Sequence, residues 1–299
     1  MMLKNFGQME RFVREQSGKK RVALAAAHDA DALGSLMMAV DRGIAEAILI
    51  GRRKEIVRVL DEMGKDAGDF RIIEEEDDRA AADKAVELVH CDEADMPMKG
   101  LMHTSTFMKA ILDKEKGLKE DGNLLSQASV FEIPEKDRFL IISDCAVNID
   151  PDLETKIKIT ENAAALAHTL GIEQPKIAVL SAVEVVNPKI RSTVDAAAMR
   201  ERLSDRYLID GPLALDNAID EAAAHHKGIE SPVAGNADIL IVPDLWSGNI
   251  FSKGLVFFAH LRSAGTLNGL KAPVVMSSRT DTVENKYLSI LTAVLQTIR

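Results

Sequence analysis

Short apolar segments alternate with longer amphipathic ones along most of the chain, and this alternation restricts the fold more than any other feature. Four or five apolar residues run together at 22–26 and 47–50, which predicts strands there. Apolar residues recur every three or four positions at 29–42 and 55–63, which predicts helices. A chain that alternates in this way is expected to form a parallel sheet with crossover helices.

The alternation continues to the C-terminus and predicts about ten strands, too many for one doubly wound sheet. We therefore predict two α/β lobes with a cleft between them, a common place for a ligand. A polar linker or hairpin at 114–123 interrupts the pattern, and the strands at 128–133 and 138–143 are spaced as a hairpin-like pair. The other predicted strands are 70–73, 100–102, 177–180, 207–209, 239–242 and 274–276. The other predicted helices are 5–16, 80–89, 104–112, 189–201, 213–226, 250–261, 283–297 and one that begins at Pro151 behind an Asp150 cap and stops at Gly171.

Charge and composition exclude several classes of protein. The chain has 299 residues and a formal net charge of −10, with no basic run, so no nucleic-acid partner is expected. No stretch approaches the roughly 20 apolar residues that cross a bilayer, and no signal peptide is evident, so no membrane association is expected. The two cysteines, Cys91 and Cys145, form no CxxC pair. A reducing, cytoplasmic location is therefore expected.

The common cofactor and metal motifs are missing from the sequence. It contains no GxGxxG, no GxxxxGK[ST], no HExxH and no GxSxG. Dinucleotide cradles, P-loops, zinc sites and ordinary α/β-hydrolase elbows are therefore not expected. His28, Asp29 and Asp31 lie on one loop without a distant partner, so we interpret them as a polar turn and helix cap rather than a metal site.

Several predicted strands end in small, polar turns. In parallel sheets ligands bind beyond the carboxyl ends of strands, where hydroxyl and backbone N–H groups suit phosphate oxygens. Each turn alone is typical of a helix cap, and Arg279 alone is also typical of a surface ion pair. Their concentration at strand ends favours a ligand site. The turns are HTST at 103–106, SPVAG at 231–235, PDLWSGN at 243–249 and SSRTD at 277–281.

The order and spacing of these motifs resemble those of phosphate acyltransferases, over nearly the whole chain. The matching motifs are DCAVN at 144–148 with Pro151 shortly after, DGPL at 210–213, SPVAG at 231–235, PDL…GN at 243–249 and SR at 278–279.

This resemblance implies a two-domain α/β fold like that of isocitrate and isopropylmalate dehydrogenases, with an interdomain cleft. The first domain would comprise 1–122 and 267–299, and the second, 123–266, would dimerise. The implied reaction is reversible: acyl-CoA and inorganic phosphate give an acyl phosphate and coenzyme A. No metal or redox cofactor is implied, because coenzyme A is a substrate. The implied assembly is a homodimer or higher homo-oligomer.

The resemblance also assigns the site. A thiol with a pKa near 8.5 needs a base or a positive field before it attacks a carbonyl. Ser278 would bind the carbonyl oxygen or the phosphate, and Arg279 the phosphate or the phosphates of coenzyme A. Asp281 and Glu284 are the candidate bases, although carboxylates are common at helix starts. Asn249 completes the catalytic set. The implied substrate- and phosphate-binding residues are Thr104, Ser105, Lys109, Ser247, Gly248, Ser231, Gly235 and Phe257.

Differences from the acetyl branch of the family favour a butyryl or branched-chain substrate. The position of that branch's proposed base aspartate is Asn285, and arginines of that branch align with Phe257 and Lys109. The stretches GLMHTSTFMK from Gly100 and KEKGL from Lys114 resemble phosphate butyryltransferases. The PDL turn before Trp246, by contrast, is common in acetyl enzymes. Two alternatives therefore stay open: a phosphate acetyltransferase, or a weakened protein that senses coenzyme A or acyl phosphate.

Overall fold

Strands and helices alternate through the residues that the computed structural model describes, 1–16, 18–120 and 122–299. The strands are β1 (Lys20–Ala25), β2 (Ala45–Gly51), β3 (Arg71–Glu74), β4 (Met96–Lys99), β5 (Ser126–Ile133), β6 (Arg138–Ser143), β7 (Lys176–Leu180), β8 (Leu208–Leu213), β9 (Ile239–Ile241) and β10 (Ser263–Asn268). The helices are α1 (Phe6–Arg14), α2 (Ala30–Asp41), α3 (Arg53–Glu62), α4 (Asp78–His90), α5 (Thr104–Ile111), α6 (Leu153–Thr169), α7 (Arg191–Leu203), α8 (Leu215–Ile219), α9 (Glu221–His226), α10 (Leu245–Phe257) and α11 (Val283–Gln296). The predicted α/β class is confirmed.

The elements divide into two compact units. The terminal unit comprises Phe6–Asn123 and Ala264–Arg299, and the central unit comprises Met1–Asn5 and Leu124–Ser263. The division into domains at 1–122 with 267–299 and at 123–266 stays a prediction.

The terminal unit is built on a sheet in the order β3-β2-β1-β4, whose neighbouring strands are parallel. Residues 22–25 of β1 are fully buried because β1 lies inside the sheet with helices on its faces. Helix α11 is buried on all sides over residues 285–295, and α1 and α2 pack against it. A helix buried all round belongs to a core. The last segment of the chain thus completes the core of this unit.

The central unit contains a sheet in which β5, β6, β9, β7 and β8 are neighbours in that order. Strands β5 and β6 are antiparallel and joined by a tight turn at Pro134–Lys136, which confirms the predicted hairpin. The pairs β6–β9, β9–β7 and β7–β8 are parallel. Ser263, the last residue of this unit, begins β10, which carries the chain into the terminal unit.

The predicted strands at 100–102 and 274–276 were wrong. The strand lies at Met96–Lys99, before the predicted 100–102, and it includes Pro97. Proline lacks a backbone N–H and is tolerated mainly in edge strands, and β4 is the last strand in the order of its sheet. The Pro97 carbonyl oxygen still accepts a hydrogen bond of 3.0 Å from the amide of Val275. The predicted strand at 274–276 contains only two isolated bridges, at Val274 and Val275.

Several helix boundaries also differ from the predicted ones. Helix α6 begins two residues later than predicted, because Asp152 rather than Asp150 accepts the capping hydrogen bond from the amide of Thr155, at 2.8 Å. The predicted helix at 213–226 is two short helices, since Asp220 has extended backbone and caps α9. Helix α10 begins at Leu245 rather than 250, where Asp244 caps it.

Strand β10 was not predicted, because its sequence SAGTLN carries no alternating apolar pattern. Asp121, in the predicted linker at 114–123, lies outside the described residues. Among the residues that are described, no helix combines the length and the apolar character needed to cross a membrane.

Candidate functional site

The terminal unit contains a pocket of about 170 Å³ in which three basic side chains meet. The pocket lies beyond the carboxyl ends of β1 and β4, which are neighbours in the sheet. This is the edge at which parallel sheets bind ligands. Its polar lining residues are Asp29, Lys99, Ser277, Ser278, Arg279 and Lys286.

Lys99 is the last residue of β4, and only 5% of its surface is exposed. Its Nζ donates to the backbone oxygens of Gly100, at 3.2 Å, and Met102, at 3.4 Å. Burial lowers the pKa of this lysine, and the positive charge of Arg279 lowers it further, whereas Asp29 acts in the opposite direction. In the part of the chain that the structure describes, the acceptors of its Nζ are these two neutral backbone oxygens.

Lys286 lies in the first turn of α11 and is 3% exposed. Its Nζ donates to the backbone oxygens of Asp281, at 2.5 Å, and Arg279, at 3.4 Å, and lies 3.9 Å from a carboxylate oxygen of Asp31. The lysine thus ties the turn that carries Arg279 to the buried helix α11.

The turn at 278–281 is held by its own hydrogen bonds. The amide of Ser278 donates to Asp281 Oδ2 at 2.7 Å, and the amide of Asp281 donates back to the Ser278 oxygen at 3.2 Å. Ser278 and Arg279 are exposed, so both side chains are accessible to a ligand. The Asp281 carboxylate, predicted as a base, also organises this turn. Glu284, the other candidate base, is exposed in the first turn of α11.

Arg279 extends to the start of α5, because its Nη2 lies 3.5 Å from Nδ1 of His103, the residue before that helix. Thr104 and Ser105 are exposed in the first turn of α5, where backbone N–H groups lack intrahelical acceptors. The structure therefore brings Thr104, Ser105, Ser278 and Arg279 to one region of the terminal unit. Lys109 is exposed on the same helix, about one and a half turns further on.

The central unit holds a second polar loop after β6, organised by the buried carboxylate of Asp144. Its Oδ1 accepts from the amides of Ala146 and Val147, at 2.8 and 2.9 Å. Its Oδ2 accepts from Asn148 Nδ2 at 2.6 Å and from the amide of Gln127 at 3.2 Å. One carboxylate thus fixes the loop and links it to β5.

The start of α10 packs against this loop. Asn249 Nδ2 donates to the Cys145 oxygen at 3.1 Å. A Cβ at Gly248 would lie 2.6 Å from the backbone carbonyl oxygen of Asp144, so only glycine fits there. The Ser247 hydroxyl donates to Asp244 Oδ1 at 2.9 Å within the helix cap. These three predicted residues therefore position α10 on the loop.

Ser231 and Gly235 lie in a turn elsewhere in the central unit. The Ser231 hydroxyl accepts from the amide of Val233 at 3.1 Å. Gly235 has a φ of +80°, and its amide donates to the Asn217 oxygen at 2.7 Å. A side chain at Gly235 would collide with the backbone of Glu221. Both residues thus have local structural contacts. Phe257, at the end of α10, is 52% exposed.

Cys145 is buried, and burial together with the neighbouring Asp144 charge raises its pKa to about 12. Because the thiolate is the reactive form, this cysteine is expected to be inert. Cys91 is exposed. At neutral pH, a thiol reagent is therefore expected to modify one cysteine in the folded chain and two after unfolding in urea, counted by mass spectrometry. The Cys91→Ser variant should label only when unfolded; rapid modification of its folded form would contradict the expectation.

Metal-binding groups are missing from the described ranges, in which no three His, Cys, Asp or Glu side chains are grouped to hold an ion. Asp29 caps α2 by accepting from the amide of Ala32 at 3.1 Å. Nε2 of His28 lies 2.8 Å from Nη2 of Arg52. Burial lowers the pKa of His28, and the positive charge of Arg52 lowers it further. The predicted turn and cap are therefore confirmed at Asp29.

Sequence reasoning missed Lys99 and Lys286, although a signal was present. Each is a lysine within a run of otherwise buried residues, MPMK for Lys99 and NKYLSI for Lys286. Lysine is almost never fully buried without a partner, so such positions are candidates for function.

The sequence matches known proteins along nearly its full length. The family model described as "Phosphate acetyl/butaryl transferase" matches residues 80–294. A phosphate butyryltransferase of Clostridium acetobutylicum is 45% identical over 299 residues, covering 98% of each chain. A phosphate acetyltransferase of Thermotoga maritima is 42% identical over 288 residues, covering 94% of this chain and 97% of that protein.

Solved structures extend the comparison to the fold. A branched-chain phosphotransacylase from Enterococcus faecalis superposes with a TM-score of 0.83 at 34% identity, covering 93% of this chain and 98% of that one. A 4-hydroxythreonine-4-phosphate dehydrogenase from Klebsiella pneumoniae gives a TM-score of 0.56 at 13% identity, covering 92% of this chain and 98% of that one. The second similarity is one of fold alone.

Proposed function

Because the chain belongs to the phosphate acetyl/butyryl transferase family, we propose that it transfers a butyryl or branched short-chain acyl group reversibly between coenzyme A and inorganic phosphate. The observation that carries this proposal is the basic pocket beside Ser278 and Arg279 in the terminal unit. Phosphate and acyl phosphate are anions, and an arginine fork with neighbouring hydroxyls suits their oxygens.

In the proposed reaction the thiolate of coenzyme A attacks the carbonyl carbon of the acyl phosphate. A carbon–sulfur bond forms, the bond from that carbon to the phosphate oxygen breaks, and inorganic phosphate leaves. Arg279 holds the phosphate, and Ser278 donates to the carbonyl oxygen, on which negative charge develops. Donors of this kind contribute about 10²–10³ in rate at comparable sites. Asp281 and Glu284 are the candidates to take the thiol proton.

We also propose that both units contribute to one site, in a cleft like that of isocitrate and isopropylmalate dehydrogenases. Asn249, Ser247, Gly248, Ser231 and Gly235 would act from the central unit, and Thr104, Ser105 and Lys109 from the terminal unit. The match of one family model to residues 80–294, a range that includes the motifs of both units, supports this proposal. In it, the Asp144 loop serves to hold Asn249 at the start of α10.

Phe257 is proposed to contact the acyl chain. The Phe257→Arg variant is then expected to lower the ratio of kcat/KM for butyryl phosphate to that for acetyl phosphate by about tenfold, since discrimination of one methylene is worth about 10–200-fold. Phe258, which is 90% exposed, offers a matched control, and the ratio should not change in Phe258→Arg. An unchanged ratio in Phe257→Arg would show that Phe257 does not contact the acyl chain.

The activity is tested by following coenzyme A thiol consumption with acetyl, butyryl and isobutyryl phosphate in turn. A higher kcat/KM for butyryl or isobutyryl phosphate supports the proposal. A higher value for acetyl phosphate would instead identify the acetyl enzyme, for which the Thermotoga relative and the PDL turn argue. Binding of coenzyme A without turnover of any of the three would identify a sensing protein.

The proposed assembly is a homodimer formed through the central unit, in the cytoplasm and without a metal or redox cofactor. Trp246 and Ile250, one turn apart on α10, are exposed apolar side chains that a second copy would cover. Both cysteines are free thiols, which agrees with a reducing compartment. Sedimentation velocity should give the mass of two or more chains, and dialysis against a chelator should leave the activity unchanged.

A further inference from the structure

The pocket of the terminal unit carries an excess of positive charge that the turn at 278–281 does not explain. Lys99, Lys286 and Arg279 line it, and Asp29 is the single carboxylate in its lining. Asp29 is already engaged as the cap of α2. The whole chain, by contrast, has a net charge of −10. Asp31 lies 3.9 Å from Lys286, so the attraction for an anion comes mainly from Lys99 and Arg279.

Lys99 and Lys286 are both buried, whereas Arg279 is exposed. An ammonium group has three N–H donors, and two of those of Lys99 are directed to the neutral oxygens of Gly100 and Met102 at 3.2 and 3.4 Å. Within the described residues, Lys99 forms no ion pair. A buried charge without a counter-charge is costly unless a ligand supplies one. An anion in the pocket would supply both the missing acceptor and the missing charge.

The backbone around Lys99 is fixed. A Cβ at Gly100 would collide with the backbone oxygens of Ala25 and Ala26, so the end of β4 approaches the end of β1 as closely as glycine permits. The amide of Gly100 also donates to the Ala25 oxygen at 2.8 Å. The backbone that carries Lys99 therefore has little freedom to move. The volume of about 170 Å³ has room for several water molecules, and hence for the five heavy atoms of a phosphate ion.

We propose that Lys99 binds the phosphate group directly, from the side of the pocket opposite to solvent, while Lys286 acts as a positioning residue that holds the turn of Arg279. This assignment rests on the proposed function and adds Lys99 to the residues that bind the phosphate. Arg279 would then hold the outer oxygens of the phosphate, and Lys99 an inner one. The hydroxyl groups of Ser277 and Ser278 lie in the same lining.

The decisive variant is Lys99→Met, which removes the charge and keeps the length of the side chain. With butyryl-CoA and inorganic phosphate as substrates, KM for phosphate should rise at least tenfold, because a hydrogen bond to a charged group is worth about 1.5–3 kcal/mol. KM for butyryl-CoA should change less than about twofold. Lys84→Met, at a partly exposed lysine of α4 that pairs with Glu87, is the matched control and should change neither constant. A fall in kcat with an unchanged KM for phosphate would overturn the proposal while leaving the proposed function intact.

A binding measurement separates this proposal from the activity. At constant ionic strength, inorganic phosphate should raise the melting temperature of the wild-type protein and of Lys84→Met, but not that of Lys99→Met. If phosphate stabilises the variants in this pattern but the protein turns over no acyl phosphate, the anion site is supported and the proposed function is contradicted. Equal stabilisation of wild type and Lys99→Met would overturn the site. Lys99→Gln replaces Lys99→Met in both experiments if the methionine variant does not fold.

Discussion

Replacing Asp144 by alanine is expected to lower the free energy of unfolding by about 2–4 kcal/mol. The carboxylate is 3% exposed and accepts hydrogen bonds from four residues: Gln127, Ala146, Val147 and Asn148. Removing it leaves the buried amide of Gln127 and the side-chain amide of Asn148 without this acceptor. Each such loss costs about 1–3 kcal/mol, and the exposed part of the loop recovers some of it from water.

Asp152→Ala provides the control for this experiment. Asp152 also accepts a backbone hydrogen bond, from Thr155 at 2.8 Å, but it is an exposed helix cap. Its loss is expected to cost about 1 kcal/mol. Urea unfolding followed by circular dichroism measures both variants. Equal destabilisation of the two would show that the Asp144 loop is not held by its carboxylate.

The second large effect is expected at Arg279, where Arg279→Ala should lower turnover of butyryl phosphate at least tenfold. A charge-assisted bond to phosphate is worth about 1.5–3 kcal/mol, which corresponds to about 10–150-fold. Arg279→Lys keeps the charge but loses the fork, so it should recover the rate only partly. The measurement is the initial rate of thiol consumption at saturating coenzyme A.

Arg58 offers the matched arginine for that comparison. It lies on α3 of the same unit, is exposed, and pairs with Glu62 at 2.9 Å. Pairs of this kind contribute little to stability, so Arg58→Ala should behave as wild type. An Arg279→Ala rate equal to that of Arg58→Ala would refute the role of Arg279.

Much of the fold could be predicted because strands and helices differ in apolar period. The exceptions depend on tertiary contacts. Strand β4 contains Pro97, a residue that argues against a strand in a short sequence window, but β4 is the edge strand of its sheet, where proline is tolerated. Strand β10 has no apolar alternation. Asp220 has extended backbone and separates α8 from α9, although the apolar pattern of the sequence there is helical.

The site was predictable to the extent that its motifs resemble a family, and that membership is confirmed. Ser278, Arg279, Thr104 and Ser105 could be named from those motifs. Lys99 lies outside those motifs, and although a lysine in the run MPMK is a signal, its role depends on a pocket formed by three distant segments. Motif reasoning also could not reveal that Ser247 and Asn249 make structural contacts within the central unit.

Hydrogen–deuterium exchange tests the proposal that residues of both units bind one acyl phosphate. Butyryl phosphate is added without coenzyme A, so that no thiol consumes it, and exchange is read by mass spectrometry. Slower exchange is expected at the start of α5, at the start of α10 and at 277–286 together. Slower exchange in only one unit, with the other unchanged at saturating butyryl phosphate, would contradict it.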